Sequence, residues 1–465
     1  MKQVDGVIVG GGPAGIAASI EMTRRGLSPV LIDENDMLGG KVLKEKEVLW
    51  AHPPNRFEYK IKKELFDQFN TISNKITIVK NAMVWGIFDG NIVAYSSVVN
   101  GKNISTELKA KKIIIATGAI ERSVPFEGWT LPGIYTIGGL NSLVKEQRNF
   151  SGQKFLIAGA GPLLLVLANN LIKAGAEIEA IVDASSFLEV MLKSPSLVTC
   201  KGPLWIGFRY LRNIRRHKIP ILRSRVVTSA SGDNQLERVV ITKVDKNWKA
   251  ISGTEKEYSV NRLAVGYHLA PDTGLTRLCG CEHLYDKKYG YWYVKHDSNM
   301  ATTVPGVFVA GDGASVLGYP AAIAQGRITG LAVSRELGVL EEEGWSEIQD
   351  LNRQLKKLEK FGSALRDLSA PRAGLFDSIT DDTIICRCEE ITFKDIKQAI
   401  LSNNVTDVNH LKRITRSGMG HCQGRYCGQF IGKIISLLTK TESDPGVFTV
   451  RYPVKPIPLE SLWDE

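Results

Sequence analysis

Residues 4–33, VDGVIVGGGPAGIAASIEMTRRGLSPVLID, decide the fold of this 465-residue chain. An apolar strand runs into the pattern Gly10-x-Gly12-x-x-Gly15, a helix follows, and a second apolar strand ends at Asp33. The three glycines permit a tight turn, close approach of a pyrophosphate, and close packing of helix on strand. The helix N-terminus then offers free amides to phosphate oxygens. The segment therefore predicts a Rossmann-like βαβ unit that binds a dinucleotide, with Asp33 accepting hydrogen bonds from a ribose.

Two later segments indicate which dinucleotide is bound. KKIIIATGA (residues 111–119) is an apolar strand that leads into Thr117-Gly118, and TTVPGVFVAGDGA (residues 302–314) ends its strand at Gly311-Asp312. With the N-terminal segment they resemble the two-dinucleotide-binding-domain flavoproteins, an α/β fold of the glutathione-reductase type. That resemblance implies that Asp312 bonds the ribityl or phosphate side of FAD. The predicted cofactor-binding residues are Gly10, Gly12, Pro13, Ala14, Gly15, Asp33, Glu34, Gly40, Thr117, Gly118, Gly311 and Asp312.

A second βαβ pattern lies between these segments. The sequence FLIAGAGPLLL contains Gly159-x-Gly161, but Leu164 occupies the position of the third glycine, and the next strand ends in Asp183. Without the third glycine the helix cannot approach the strand as closely, which alters the phosphate cradle. An NAD-type fold is predicted here, and both a pyridine-nucleotide site and a purely structural domain remain open.

Four of the seven cysteines form the pattern Cys386-x-Cys388 … Cys422-x4-Cys427. Four thiolates suit either one zinc ion or one iron–sulfur cluster. The single residue inside the first pair is tight for a zinc knuckle, whereas two pairs of thiolates can serve the two irons of a [2Fe-2S] cluster. Glycines at 418, 420, 424 and 428 allow amides to approach the sulfurs. A [2Fe-2S] cluster is therefore favoured over zinc and over structural cysteines.

The composition, 43% hydrophobic with a formal charge of +10, suits two or three domains. Basic residues concentrate in one stretch: Arg209, Arg212, Arg215, Arg216, Lys218, Arg223 and Arg225. This stretch is either a solvated helix face or a docking surface for an acidic partner or a nucleotide phosphate. Nucleic acid is not expected, because no nucleic-acid-binding motif accompanies it. No signal peptide or membrane span is predicted, and the unpatterned cysteines indicate a reducing compartment, so we expect a cytoplasmic protein.

Residues for substrate chemistry are not evident. A disulfide reductase of this fold would carry two cysteines spaced for a redox pair beside its flavin. The pair Cys279-x-Cys281 follows an irregular stretch; buried or surface thiols are favoured, and a ligand or redox pair is the alternative. His421 adjoins Cys422 and is expected to hydrogen-bond near the cluster. These observations favour a chain whose substrate is oxidised elsewhere.

The rest of the chain divides around these motifs. A helix is predicted from apolar residues at helical spacing: Ile348, Leu351, Leu355, Leu358 and Phe361. The segment PRAG (residues 371–374) ends that helix. The proline-rich tail is predicted to be extended. The predicted domains are 1–120 (nucleotide-binding, first part), 121–260 (NAD-type Rossmann domain), 261–345 (nucleotide-binding, second part), 346–380 (helical linker), 381–440 (BFD-like [2Fe-2S] domain) and 441–465 (tail).

Taken together, GAGPLLL, CRCEE, GMGHCQGRYC and the proline-rich tail resemble one family over essentially the whole chain. This family is the alpha, FAD- and iron–sulfur-containing, subunit of heteromeric amino-acid and opine dehydrogenases. It includes proline and hydroxyproline dehydrogenase alpha subunits, the A subunits of opine oxidases and the B subunit of hydrogen cyanide synthase. The cysteine region alone resembles small helical [2Fe-2S] modules of the BFD type.

The resemblance implies a division of labour between subunits. A beta subunit similar to amino-acid oxidases would hold its own FAD and remove hydride from a Cα–N bond. Electrons would then pass through a flavin, FMN at a subunit interface in some relatives, and through the cluster to a quinone or dye. The cluster ligands would be Cys386, Cys388, Cys422 and Cys427. Some relatives hold ATP or NAD in the N-terminal pocket. For this chain the resemblance also leaves open a small ferredoxin-like subunit as a further partner, and a peripheral association with a membrane.

Two other functions are compatible with the residues alone. The first is a self-sufficient NAD(P)H-dependent flavin oxidoreductase that delivers electrons to its own cluster. Leu164 in the second βαβ unit counts against this function. The second is a non-enzymatic scaffold with zinc in the cysteine domain.

Overall fold

In a computed structural model of the chain, residues 1–44, 56–147, 150–440, 444 and 446–462 are described. The N-terminal part builds one sheet with strand order β3-β2-β1-β6-β5-β4. Its elements are β1 (Lys2–Val9), α1 (Pro13–Arg24), β2 (Val30–Ile32), α2 (Gly40–Leu43), α3 (Arg56–Asn70), β3 (Thr77–Val79), β4 (Ala82–Phe88), β5 (Ile92–Val99) and β6 (Lys102–Ile115). Strands β1, β2 and β3 are parallel, and β1 is also parallel to β6. The antiparallel meander β4-β5-β6 extends the other side.

A second, five-stranded parallel sheet follows, with strand order β11-β10-β9-β15-β8. The elements of this part are β7 (Ala119–Arg122), β8 (Ile134–Thr136), α4 (Ile137–Gln147), β9 (Lys154–Gly159), α5 (Leu163–Lys173), β10 (Glu177–Asp183), α6 (Phe187–Leu197), α7 (Lys201–Arg216), β11 (Ile221–Arg223), β12 (Arg225–Ser231), β13 (Arg238–Lys243), β14 (Lys256–Ser259) and β15 (Arg262–Gly266). Strands β12, β13 and β14 form a separate antiparallel sheet. Two sheets, each with a parallel Rossmann-type part, in one chain confirm the predicted fold class.

The chain then returns to the first sheet. The elements of this part are β16 (His268–Pro271), α8 (Gly274–Leu278), β17 (His283–Asp286), β18 (Tyr291–Val294), β19 (Val307–Val309), α9 (Tyr319–Glu336) and α10 (Glu342–Ser369). Strand β19 pairs in parallel with the C-terminal end of β6, so the sheet is completed by a strand that follows the whole second Rossmann part in sequence. The stripe predicted on α10 is packed against the first core, where Ile348, Leu351 and Leu355 are buried.

The C-terminal domain is small and mostly helical. It consists of β20 (Ile384–Cys386), β21 (Ile391–Thr392), α11 (Phe393–Asn403), α12 (Val408–Thr415) and α13 (Gly428–Thr439). Capping carboxylates define its first two helices, because Asp395 forms a capping box with Thr392 and Asp407 accepts from two amides of α12. Its apolar core is continuous with Trp248 and Tyr267 of the second Rossmann part.

The proline-rich tail lies against the first sheet; of the predicted segment 441–465, positions 444 and 446–462 are among the described residues. The Val454 amide donates to the carbonyl of Trp85 (2.9 Å), and the Tyr452 ring stacks on Phe88 with ring centroids 4.5 Å apart. Within the described residues, no helix has both the length and the apolar character needed to cross a membrane.

Helices α1 and α9 pack with their backbones in close contact. A Cβ atom at Gly326 would lie 2.1 Å from the carbonyl oxygen of Ala14, and one at Gly330 would lie 2.6 Å from that of Ala18. Side chains larger than hydrogen are therefore excluded from this face of α9. Ten consecutive residues of α1, from Ala14 to Thr23, are buried.

The substitution Gly326→Ala is predicted to lower the free energy of unfolding by about 1–3 kcal/mol, because its methyl group meets rigid backbone. Gly207→Ala is the matched control: it also lies in a helix, and its Cβ would meet nothing within 4 Å. That change should raise stability by about 0.5–1 kcal/mol. Urea unfolding followed by circular dichroism distinguishes the two outcomes, and equal midpoints for both variants would contradict the packing argument.

Candidate functional site

The glycine loop between β1 and α1 has the geometry expected of a phosphate cradle. Gly10 has φ +107°, and a Cβ there would lie 2.3 Å from the Ala116 carbonyl oxygen. A Cβ at Gly15 would lie 1.9 Å from the Gly10 carbonyl oxygen, so the start of α1 is pressed onto the loop. At Gly12 the nearest atom to an added Cβ is the Cα of Gly40, 3.9 Å away, which leaves space beside the backbone. Pro13 occupies the first turn of α1, where its missing N–H costs nothing.

Asp33 braces this loop from the end of β2. Its Oδ2 accepts from the Gly11 amide (2.6 Å), and its Oδ1 accepts from the Asn35 amide (2.8 Å). The side chain is buried, so the carboxylate orients the glycine loop directly; its contact with a ribose stays a prediction. The neighbouring Glu34 is half-exposed and forms an ion pair with Lys455 of the tail.

Two further predicted residues, Gly40 and Gly311, lie against the start of α1, and a third, Gly118, follows a strand of the same sheet. Gly40 has φ +60° and backs onto Gly12, whose Cα would lie 3.1 Å from a Cβ added at Gly40. Gly311, φ +73°, faces Ala14, whose Cβ would lie 2.9 Å from an added Cβ. Gly118, φ +75°, follows β6, the central strand of the same sheet. The structure thus brings together residues from opposite ends of the nucleotide-binding sequence.

Asp312 holds the turn that precedes α9. Its Oδ1 accepts from the Leu317 and Gly318 amides, both at 3.1 Å. Burial of the carboxyl group raises its pKa, and the two amide hydrogen bonds oppose that shift. Thr117 ties the opposite wall together, because its hydroxyl donates to the Asp272 carbonyl (3.1 Å).

Two residues beside this cradle were not selected from the sequence. Both Glu121 carboxylate oxygens accept from the Gly138 amide, at 3.0 and 2.8 Å, and burial raises the pKa of this carboxyl group. The Lys41 ammonium donates to the Ala119 carbonyl (2.9 Å). No motif marks Glu121 in the sequence, since it lies in the short strand β7 directly before Arg122.

The second glycine loop has a different surrounding. Gly161 has φ +89°, and a Cβ there would lie 2.8 Å from the Cβ of Ser369, the last residue of α10. The Ser185 hydroxyl donates to the Leu368 carbonyl (2.9 Å). Asp183 pairs with Arg223 at 2.8 Å. The C-terminal end of α10 therefore lies where a nucleotide would approach this loop.

The four cysteines of the C-terminal domain meet in two pairs. Cys386 ends β20 and pairs with Cys427 at the start of α13. The Cys427 thiol, as hydrogen-bond donor, lowers the pKa of Cys386 to about 6, and the Gly418 amide contributes in the same direction. Cys388 forms the second hydrogen-bonded pair with Cys422. Within the described residues, no three His, Cys, Asp or Glu side chains converge on the position of a single metal ion.

The residues around the cysteines have distinct roles. The Nε2 atom of His421 lies 3.8 Å from the Cys388 sulfur, in accord with the hydrogen-bonding role expected for it. A Cβ at Gly420 would lie 2.3 Å from the Cβ of Cys388. By contrast, Gly424 faces the ring of Phe448, where an added Cβ would come within 2.5 Å. Some of the glycines expected near the sulfurs thus accommodate the tail.

The pair Cys279 and Cys281 does not form a comparable site. Burial raises the pKa of Cys279 to about 12, and the Cys281 thiol donates to the Thr302 hydroxyl (3.4 Å). Both side chains are packed in the first core. They are structural thiols in the described arrangement.

A dinucleotide cradle with an acidic residue before α9, joined to a four-cysteine domain, defines a class: oxidoreductases that hold FAD and an iron–sulfur cluster. The residues present fit both groups, because the Gly12 backbone is approachable and four thiols are gathered from two segments.

Comparison with known proteins identifies the family. Residues 4–326 match the pyridine nucleotide-disulphide oxidoreductases, and residues 384–436 match the BFD-like [2Fe-2S] binding domain. The HcnB subunit of hydrogen cyanide synthase from Pseudomonas aeruginosa is 32% identical, over 98% of this chain and 97% of that protein. The A subunit of opine oxidase from Agrobacterium tumefaciens is 28% identical, over 98% and 91%. The crystal structure of L-proline dehydrogenase from P. horikoshii has a TM-score of 0.72 at 23% identity, covering 99% of this chain and 80% of that one.

The chain belongs to the pyridine nucleotide-disulphide oxidoreductase family and, within it, to the subunit family that includes HcnB and the A subunits of opine oxidases. The predicted family, FAD as a cofactor, the [2Fe-2S] domain and the oxidoreductase class are confirmed. The ligand assignment to individual residues stays a prediction.

Cys386→Ser is predicted to remove most of the iron and acid-labile sulfide from the purified chain, because one of four thiolates is lost. Cys200→Ser is the control, since Cys200 lies outside the C-terminal domain, just before α7. Iron and sulfide analysis together with visible absorption measures both variants. Full cluster content in the Cys386 variant would contradict the assignment.

Asp312→Ala is predicted to weaken FAD binding about tenfold or more, since hydrogen bonds to a charged group contribute about 1.5–3 kcal/mol. The loss would release the amides of Leu317 and Gly318. Asp297→Ala is the control, because Asp297 also accepts from two loop amides but precedes β19 at the other end of that strand. Fluorescence titration of the flavin-free chain gives the affinities, and equal losses in the two variants would show a general effect on folding.

Proposed function

We propose that the chain is the electron-transfer subunit of a heteromeric amino- or imino-acid dehydrogenase of the proline, hydroxyproline or opine type. A catalytic beta subunit with its own FAD oxidises the CH–NH bond, and electrons pass through flavin and the [2Fe-2S] cluster to a quinone or dye. The observation that carries this proposal is the presence of a flavin cradle and a [2Fe-2S] domain in one chain whose second nucleotide loop is covered by α10. The names of the relatives support the substrate class.

The carboxylates around the first cradle are hydrogen-bonded to the backbone. This supports the assignment of substrate oxidation to a partner subunit. A general base must lie within hydrogen-bond reach of the proton that it removes. The carboxylates of Glu121, Asp312 and Asp33 are oriented by backbone amides toward the loops that they brace. These groups hold the shape of the pocket, and the substrate base is assigned to the beta subunit.

The covered second loop argues against the NAD(P)H-dependent alternative. A nicotinamide dinucleotide would need the backbone at Gly161 and the carboxylate of Asp183. Ser369 is packed against the first, and Arg223 pairs with the second. Binding would require displacement of the end of α10.

For the additional FMN, we propose the cleft between the cysteine loop and the second part of the flavin domain. Arg277, Trp292, Gln423, Arg425 and Arg451 line this cleft. Guanidinium groups suit a phosphate, and the Trp292 ring offers a stacking surface. The segment from Gln423 to Arg425 lies between two predicted cluster ligands, so a flavin bound here would be adjacent to the cluster. A partner subunit would complete the site.

The chain should therefore be co-purified with its genomic partner and tested anaerobically with proline, hydroxyproline and opines, with an artificial dye as acceptor. We expect dye reduction by one of these substrates in the complex and none with the isolated chain. The Cys386→Ser complex should still bleach the flavin of the beta subunit but reduce the dye at least tenfold more slowly, because the step through the cluster is lost. The Cys200→Ser complex serves as the control.

NADH is the second arm of this experiment. It should leave the flavin spectrum of the isolated chain unchanged, while dithionite should bleach it. Rapid bleaching by NADH, or amino-acid oxidation by the isolated chain, would overturn the proposed function.

A further inference from the structure

A buried arginine joins the flavin-binding part of the chain to the cysteine domain. Arg122 ends β7, the short strand that begins directly after the predicted cofactor residue Gly118. Its Nε and Nη2 atoms donate to the carbonyl of Gln429, at 3.1 and 2.8 Å, and its Nη1 atom donates to the carbonyl of Tyr289 (2.5 Å). Gln429 lies in the first turn of α13, two residues after Cys427. One side chain therefore connects the strand that leaves the flavin cradle to the helix that follows a predicted cluster ligand.

The charge of Arg122 has no carboxylate partner in the part of the chain that the structure describes. Only 4% of the residue is exposed, and its described hydrogen bonds go to neutral carbonyl oxygens. The Asp367 carboxylate accepts from the hydroxyl at the far end of the Tyr289 side chain (2.7 Å). That carboxylate is already paired with Lys193 and Lys288. Burial lowers the pKa of Arg122 to about 10, which leaves the guanidinium protonated at neutral pH.

A second arginine and three aromatic rings pack beside this charge. Arg366 donates to the Tyr291 hydroxyl (3.0 Å), and its guanidinium carbon lies 4.6 Å from the centroid of the Tyr289 ring. The His268 ring stacks on both tyrosine rings, with centroids 5.6 and 5.7 Å apart. Burial, together with the charges of Arg122 and Arg366, lowers the pKa of His268 to about 3, so this ring is neutral at neutral pH. The rings thus cover the arginines without supplying a negative charge.

Packing alone does not account for an arginine at this position. Removal of a charge from water costs free energy that neutral hydrogen bonds offset only in part, and apolar residues of similar volume are often more stable in such places. A [2Fe-2S] cluster held by four thiolates is anionic, and one-electron reduction adds a further negative charge. Since coulombic interactions are strong where water is excluded, a buried cation bound to the first turn of α13 stabilises that added charge.

We propose that Arg122 is a positioning residue for electron transfer: it holds the cysteine domain against the flavin-binding part, and its charge raises the reduction potential of the cluster. The comparison is with a neutral side chain at the same position. This inference deepens the electron-transfer role proposed above and rests on it, because a raised potential favours movement of an electron from reduced flavin to the cluster. Net charge and hydrogen bonding around the sulfurs are among the factors that set such potentials.

Trp129 provides a neutral counterpart to Arg122. Its indole Nε1 atom donates to the carbonyl of Ile384 (2.7 Å), two residues before Cys386. Trp129 lies outside the cysteine domain and is buried. It therefore holds the segment of another predicted cluster ligand with a hydrogen bond to a backbone carbonyl, as Arg122 does, but it contributes no charge.

The test is an anaerobic redox titration of the purified full-length chain with its cluster, followed by electron paramagnetic resonance of the reduced form. Arg122→Met should lower the ratio of reduced to oxidised cluster about tenfold at a given ambient potential, a shift of about 59 mV for one electron, because the cation is lost. Arg122→Lys should keep a potential close to that of the unaltered chain, although an ammonium group lacks the forked geometry of a guanidinium.

Trp129→Phe is the matched control, since it removes a hydrogen bond between the same parts of the chain and leaves the charge unchanged. Its potential should equal that of the unaltered chain, even where urea unfolding shows a loss of stability. An unchanged potential in Arg122→Met would overturn the proposal. Equal shifts in Arg122→Met and Trp129→Phe would also overturn it, because loosening of the domain would then explain both.

Iron and sulfide analysis of each variant covers the case in which the methionine variant does not retain its cluster. Arg122→Gln, which keeps an amide donor but no charge, then replaces it in the titration. Retention of iron by Arg122→Lys but by neither neutral variant would support the requirement for a charge, whereas its loss from all three would contradict that requirement. The titration uses neither the partner subunit nor an amino acid, so an error in the proposed substrate class would leave its result unaffected.

Discussion

The close packing of α1 between the first sheet and α9 is the constraint on which the flavin site depends. Gly15 lets α1 press onto the glycine loop, and Gly326 and Gly330 let α9 contact its backbone from the other side. Because both contacts are backbone to backbone, the N-terminus of α1 has little freedom. The same contacts set Asp312 and Gly311 beside it, since both precede α9. One set of small residues thus determines the fold of the domain and the position of the phosphate-binding amides.

The two Rossmann units show how one motif acquires different surroundings. The first loop keeps an approachable backbone at Gly12, while Gly161 in the second meets Ser369 of α10. Helix α10 packs its apolar stripe on the first core and ends on the second unit, so it joins the two halves. The loop of the second unit is therefore less approachable than that of the first. The electron-transfer role proposed above would not require a nicotinamide pocket.

The parts of the site that sequence could predict are those encoded over short distances. Glycine spacing fixes backbone conformation and close approach locally, so the β1–α1–β2 unit follows from the sequence. The cysteine spacing is local in the same sense. The role of Asp33 as a brace depends on the Gly11 amide, and the covering of Gly161 depends on Ser369, which lies far along the chain. Such contacts arise from tertiary packing, which a periodicity or a motif does not record.

The C-terminal tail contacts two parts of the molecule, the cysteine loop and strand β4. Phe448 covers the cysteine loop at Gly424, and Val454 and Tyr452 are bound to β4. Because a chain is synthesised from its N-terminus, residues 448–454 leave the ribosome after the loop that carries Cys422. Until they dock, Gly424 lacks the Phe448 ring that faces it. Docking of this segment on β4 therefore completes the surroundings of the cysteine loop.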